Sequence, residues 1–470
     1  MGFKPTVEIP IFLATLSFML TASVSNNLLI YRTCYIVLHY NKTECALLGF
    51  VTNNETEKLE LLVSPTSTYI ALVNTIVQSV LGSVLCLFTA PWSDRFGRRP
   101  IIVMGFIGGC ISMLFHIIFA AFELTPWFII VPSLTVLLSG GGASFITILY
   151  AYLTDLTNKD ERGWRIGIFD LAMAAGVLIG MSSSSYLLIA TNYVTVFSIG
   201  AALQTVALIY VIFLLPESLQ HRETSNLVSG FFTLSNLAEM VKTPFKRREN
   251  YTRAVLLLTL LSMLLGYLAM GSAGIFFYFV RTKLQWTLTA FTLYGTVQNI
   301  LGIFGAVFVM YLLHTYFKIR EIFLILVGMF FSIISTVMFG LANRDWQIYL
   351  GAVLNLPASG QNSLQRSLVS KLVHEEEVAK IFSTLSIGAN VLGPLSAIIY
   401  TYLYNTFINI DPGLYNFFTA GVQACIFLLF LLAVIIQCRG TSQPYKNFQN
   451  ENNIQEDESE NIIASNTDSC

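Results

Sequence analysis

Polar residues fall in short clusters along this chain, separated by long apolar runs. A hydrocarbon core of ~30 Å demands about 20 such residues at helical rise. Twelve runs meet that length, at 8–31, 66–91, 100–120, 127–154, 165–188, 193–215, 253–280, 289–313, 320–341, 346–370, 379–404 and 412–438. They predict an all-α integral membrane protein with twelve transmembrane helices. The first run follows Lys4 but is longer than the ~7–15 apolar residues of a secretory signal, so it is expected to stay as an uncleaved span.

Composition agrees with the pattern. The chain is 55% hydrophobic and 11% charged, against about 25% charged in soluble domains. A net charge of −1 implies no nucleic-acid surface, and seven cysteines in 470 residues are too few for a disulfide scaffold. Charge placement then orients the spans. With a cytoplasmic N-terminus, Arg32, Lys42, Lys58, Arg281, Lys283 and Arg344 face outward and the other 20 of the 26 basic residues face inward. That bias predicts both termini in the cytosol.

Three hydrophilic segments divide the chain. Residues 32–65 form the long outer loop, with glycosylation acceptors at Asn41 and Asn54. Residues 216–252 form a cytoplasmic linker between bundles at 1–215 and 253–438, and 439–470 form a polar, disordered cytoplasmic tail. Six spans plus six, joined by a cytoplasmic linker, is the layout of two-bundle secondary transporters, whose substrate sits between the halves near the midplane.

The loop after the second run reads Ser93-Asp94-Arg95-Phe96-Gly97-Arg98-Arg99-Pro100. It resembles the signature of the major facilitator superfamily between its second and third spans, although Ala90 stands where that pattern usually begins with glycine. Gly97 permits a tight turn, Arg98 and Arg99 supply fixed charge, and Asp94 can face the start of a neighbouring helix, where the macrodipole favours an anion. The resemblance implies a gate that locks the bundles on the cytoplasmic side, with Asp155, ending the fourth span, as the partner of Arg98. Pro216-Glu217-Ser218-Leu219 resembles a second superfamily element.

Within the superfamily the chain looks like the proton-coupled folate transporter family, solute carrier family 46. The similarity is carried by the glycosylated outer loop, Ser93 to Pro100, the Asp155 segment, Arg165 to Asp170, Tyr294-Gly295 and Arg366 to Val373. By position it implies that Asp170 is a proton-coupling carboxylate, that Arg366 governs substrate and proton affinity, and that Tyr294 belongs to the site. The chain lacks the seventh-span histidine of the folate transporter proper, since Gly266 to Ser272 holds none. It also carries Gln285-Trp286 where that protein has a cysteine. It is closer to the sibling branch, which moves bacterial cell-wall fragments and bulky anionic conjugates out of lysosomes.

The buried polar groups point the same way. An ionisable residue within a span costs about 2.5–3.5 kcal/mol on insertion scales and is a functional candidate by default. Asn362 and Arg366, four apart, share one face of the tenth run, and an arginine can hold a carboxylate bidentately. Asn26, Asn27, Asn74, Gln78, Gln298 and Asn299 are lesser candidates, for which helix–helix contact is the commoner role. Cys34 and Cys45 share the outer loop and can form a disulfide. Tyr445-Lys446-Asn447-Phe448 resembles a tyrosine sorting signal for adaptors. No metal spacing, cofactor motif or nucleophile–base set is present in the sequence. The expected protein is a proton-coupled symporter of organic anions such as folate-like or muropeptide-like solutes, not an enzyme, in an endolysosomal or plasma membrane. Its expected partners are a small anionic substrate, protons and the bilayer. A ligand sensor with a transporter fold and a proton-independent carrier are the alternatives.

Overall fold

A computed structural model describes residues 7–157, 159–218, 252–317, 319, 321–373 and 375–439. Most of the expected linker and the tail, with Tyr445 and Phe448, lie outside the described residues. The elements are helical throughout: α1 Glu8–Arg32, α2 Lys42–Ala46, α3 Asn54–Phe96, α4 Arg98–Ala121, α5 Ile130–Thr135, α6 Gly142–Asp155, α7 Lys159–Ala190 and α8 Tyr193–Leu214. After the linker come α9 Thr252–Ala269, α10 Ser272–Leu284, α11 Leu288–Val307, α12 Glu321–Leu341, α13 Asp345–Leu354, α14 Gln361–Lys371, α15 Glu375–Phe407 and α16 Tyr415–Arg439. Ten helical stretches among the described residues are long and apolar enough to cross a membrane.

The other two expected runs are helical as well. The run at 346–370 is not one helix. α13 stops at Leu354, a 3-10 turn spans Leu356–Ala358, and α14 starts at Gln361. Pro357 removes a backbone donor, Gly360 loosens the turn, and α14 is polar along its length. The run at 379–404 lies within α15, a 33-residue helix that contains Pro394.

The second span also departs from the hydropathy pattern. α3 begins at Asn54, twelve residues before its apolar run, because Asn53 and Thr56 form a reciprocal capping box. The loop expected over 32–65 is thus largely ordered. α1 continues as a π-helical turn, Thr33–Val37, and α2 starts on the Asn41 side chain, which accepts from the Thr43 N–H at 3.0 Å. A bond between Cys34 and Cys45 ties that turn to α2, with their Cα atoms 5.8 Å apart.

Packing follows small residues. α1 lies against α7 and α8. The contact with α7 is close because a Cβ at Gly176 or Gly180 would stand 2.8 Å from Phe12 O or 2.7 Å from Leu16 O. In the second half α12 and α9 pack on α16. The halves meet along two seams, α3 against α15 and α10, and α7 against α11. The molecule therefore has two distinct ends, one with the Cys34–Cys45 bond and one with residues 93–100.

Candidate functional site

At the end carrying residues 93–100, α3 stops at Phe96 and α4 starts at Arg98 with one residue between them. Gly97 makes that reversal at φ +126°, a backbone angle that favours glycine. A Cβ there would also sit 2.7 Å from Glu217 Oε2. Glu217 is near because its carboxylate caps α4. Oε1 accepts from the Arg98 N–H at 2.9 Å and Oε2 from the Arg99 N–H at 3.3 Å. An anion at a helix start satisfies orphaned donors and meets the positive end of the macrodipole.

Arg98 turns outward from this cap. Its Nε lies 3.2 Å from Asp155 Oδ2 and an Nη donates to Ser93 Oγ at 2.9 Å. Ser218 Oγ also donates to Asp155 Oδ2, at 3.1 Å. Arg99 donates to the Ile212 carbonyl at 2.5 Å, and Tyr152 to the Pro216 carbonyl at 2.7 Å. The structure thus gathers Gly97, Arg98, Arg99 and Asp155 in one cluster. The Asp94 side chain lies outside what is described. The cap on α4 comes from Glu217, a residue that the sequence marked only through a short resemblance. Its signal was the glutamate directly after the helix-ending proline.

Asp170 is exposed on α7 and accepts a hydrogen bond from the Tyr150 hydroxyl on α6. Arg366, exposed on α14 in the other half, lies within electrostatic reach of the same hydroxyl. An acid of the first half thus bonds this tyrosine, and a cation of the second acts on it only through its field. Asn362 is exposed on the same helix, one turn away.

Tyr294 is not part of that group. It is 1% exposed and packs among Phe276, Trp286 and Tyr349, with ring centroids 5.3–5.4 Å away. Nearby, a cavity of about 490 Å³ opens between α11, α12 and α13, lined by the amides of Gln298, Asn299 and Asn355 beside Leu301 and Phe339. Asn355 Oδ1 is buried with no protein partner, as befits a group that can receive a ligand donor.

α14 carries a second ion pair. Lys371 Nζ lies 2.9 Å from Glu321 Oε1, and Ser367 Oγ donates to that oxygen at 2.6 Å. Glu321 is 2% exposed. Nothing in the hydropathy pattern separated it from an ordinary helix-end acid.

At the opposite end Arg281, counted from the sequence as an outward-facing charge, lies inside α10 and is fully buried. It pairs with Glu60 of α3. Charge counting assigns a residue to a side of the membrane and takes no account of its depth. Asn41 and Asn54 are exposed at this end, and Lys42 pairs with Glu123 in the open. Each partner favours the other's charged form, so the Lys42 ammonium is held above its ordinary pKa and the Glu123 carboxyl below it.

Residues 11–397 match the family model of the Major Facilitator Superfamily. The chain is 28% identical over 425 residues to the probable peptidoglycan muropeptide transporter SLC46 of Drosophila melanogaster, covering 87% of this chain and 82% of that protein. It is 23% identical over 449 residues to the lysosomal proton-coupled steroid conjugate and bile acid symporter SLC46A3 of Bos taurus, covering 92% of each. It is 22% identical over 383 residues to the proton-coupled folate transporter of Rattus norvegicus, covering 80% of each. Among solved structures, the human organic anion transporter MFSD10 (TETRAN) shares the fold at a TM-score of 0.61 and 13% identity, over 90% of this chain and 97% of that one. With its membrane-crossing helices and a superfamily model matched over most of its length, the chain is a multi-pass membrane transporter that belongs to the Major Facilitator Superfamily.

Proposed function

We propose that the chain is a proton-coupled symporter of organic anions that works by alternating access between two six-helix bundles, residues 1–215 and 253–438. The observation that carries this reading is the Tyr150–Asp170 hydrogen bond in the first half, on which Arg366 of the second half acts through its field. A proton taken by Asp170 cancels its charge and lowers the cost of moving the loaded carrier. Arg366 meets the negative charge of the substrate with a planar fork of donors. The cavity beside Phe339 and Asn299 joins an apolar wall to amide donors and acceptors, which suits a bulky anionic conjugate. Relatives named for bile acid conjugates, muropeptides and folate, two of them also for proton coupling, support the same class.

In this reading the end carrying residues 93–100 is cytoplasmic, with both termini on that side. The membrane is endolysosomal or plasma, with Asn41 and Asn54 glycosylated on the far face. Flux of a labelled bile acid conjugate or muropeptide into proteoliposomes, with and without an inward acid gradient, tests the proposal. Wild-type protein should accumulate substrate only with the gradient. Asp170→Asn should still exchange substrate but lose the acid-driven accumulation. Accumulation by that variant with an unchanged pH profile would put the proton site elsewhere.

A further inference from the structure

We propose that Glu60 and Arg281, with Asn27 holding the guanidinium from its other side and Gly49 covering them, form a latch that shuts the disulfide-bearing end and must part before that end can open. The inference needs only the transporter fold, not proton coupling. Arg281 sits on α10 in the second half, whereas Glu60 on α3 and Asn27 on α1 belong to the first. Arg281 Nε lies 2.5 Å from Glu60 Oε1, and an Nη donates to Glu60 Oε2 at 3.2 Å. The other Nη donates to Asn27 Oδ1 at 2.6 Å, and the Asn27 amide donates in turn to the Tyr193 hydroxyl at 2.8 Å.

Gly49 closes the top. It holds φ +87°, and a Cβ there would stand 2.5 Å from Asn27 Oδ1 and 3.0 Å from the Arg281 guanidinium. Its carbonyl accepts from the Leu288 N–H at 2.8 Å, which ties the outer segment of the first half to the start of α11. Thr52 Oγ1 adds a second tie, to the Gln285 carbonyl at 3.2 Å.

A charge buried this deeply is tolerable only while it is paired. Arg281 is 0% exposed and Glu60 5%, so no water can replace either partner while the halves are together. Parting the seam hydrates both groups. Removing one partner leaves the other stranded, and the cheapest relief is to open that end. The pair therefore sets the balance between closed and open states, whatever the substrate.

Ser64, fully buried on α3 one turn below Glu60, gives a reporter position. The full chain carrying Ser64→Cys would be purified and reacted with a bulky maleimide, with labelling of the native cysteines subtracted using the same protein without the reporter. Glu60→Gln should raise the Ser64→Cys labelling rate at least tenfold, and Arg281→Met should do the same from the other partner. The double variant Glu60→Leu with Arg281→Met removes both charges and keeps apolar bulk, so it should bring the rate back towards that of the parent. That return separates a released latch from a generally loosened fold. Labelling unchanged in both single variants, or equally fast in the double variant, would overturn the proposal. The readout uses neither substrate nor protons, so a failed flux assay would leave it standing.

Discussion

Glu217→Ala would strip the acceptor from the start of α4. The carboxylate takes two backbone donors of α4, Arg98 N–H at 2.9 Å and Arg99 N–H at 3.3 Å, besides the adjacent Ser218 N–H at 3.1 Å. Hydrogen bonds to a charged group contribute ~1.5–3 kcal/mol each, and an anion at a helix start adds ~0.3–1 kcal/mol. The site is only partly buried, so the low end of both ranges applies, and the loss should be about 3 kcal/mol. Glu217→Gln keeps an acceptor and loses only the charge, so it should cost roughly half as much. In a helical unit of ~200 residues each kcal/mol moves the melting temperature by ~2–4 °C. Thermal unfolding of the purified protein in one detergent should then show a fall of roughly 6–12 °C for Ala and about half that for Gln. Gly97→Ala supplies an independent check, because its new Cβ would collide with Glu217 Oε2 at 2.7 Å. Added to Glu217→Ala, it should cost only the strain of φ +126°, not the collision. A Glu217→Ala protein that melts within about 1 °C of wild type would refute the cap.

Arg366→Lys keeps the charge and loses the planar fork; one charge-assisted bond of ~1.4 kcal/mol corresponds to a roughly tenfold rise in KM, with kcat little changed, in the flux assay. The exposed Lys42–Glu123 pair has its own pH window. Glu123 is held below its ordinary pKa, so any contribution is present at neutral pH and is lost as pH falls through that lowered value. Lys42 is held above its own, so on the alkaline side the contribution is lost only as pH rises through the raised value. Wild type and Glu123→Gln should differ little at neutral pH and melt alike in strong acid. A gap that widened on acidification would contradict the assignment.

The helices were legible because a bilayer imposes a length and an apolarity that no other solvent does. Asp170 and Arg366 lie near the ends of their spans, where charge costs less than at the centre, and it was the family resemblance that marked them. Glu60 and Arg281 did not stand out, because each sits near a helix end, where hydropathy treats a charge as ordinary. Only folding reveals that α3 begins early, at its Asn53 cap, and carries Glu60 inward to meet α10. Tyr294 is a different case, because the fold buries it among aromatic rings and does not group it with Asp170 and Arg366. An aromatic residue in a span reads the same whether it lines a cavity or fills a core, and here three aromatic neighbours, Phe276, Trp286 and Tyr349, surround it.

The two ion pairs at the ends of α6 and α14 differ in a way that bears on which half moves. Arg98 begins α4 and pairs with Asp155 at the end of α6, at 3.2 Å. Glu321 begins α12 and pairs with Lys371 at the end of α14, at 2.9 Å. In the six-plus-six arrangement proposed above these are matching places in the two halves, with the charges exchanged. A helix start favours an anion and a helix end a cation, each by ~0.3–1 kcal/mol. Glu321 and Lys371 both agree with their helices. Arg98 and Asp155 both oppose theirs, and α4 obtains its anion from Glu217 instead. Macrodipoles thus strengthen the second-half clamp and weaken the first. The Arg98–Asp155 contact is held by its partners, Ser93, Ser218 and the Glu217-capped turn, and not by the helices that present it. A gate that must break and re-form in every cycle is better built from that pair than from the buried Glu321, whose release would strand a carboxylate inside the second half.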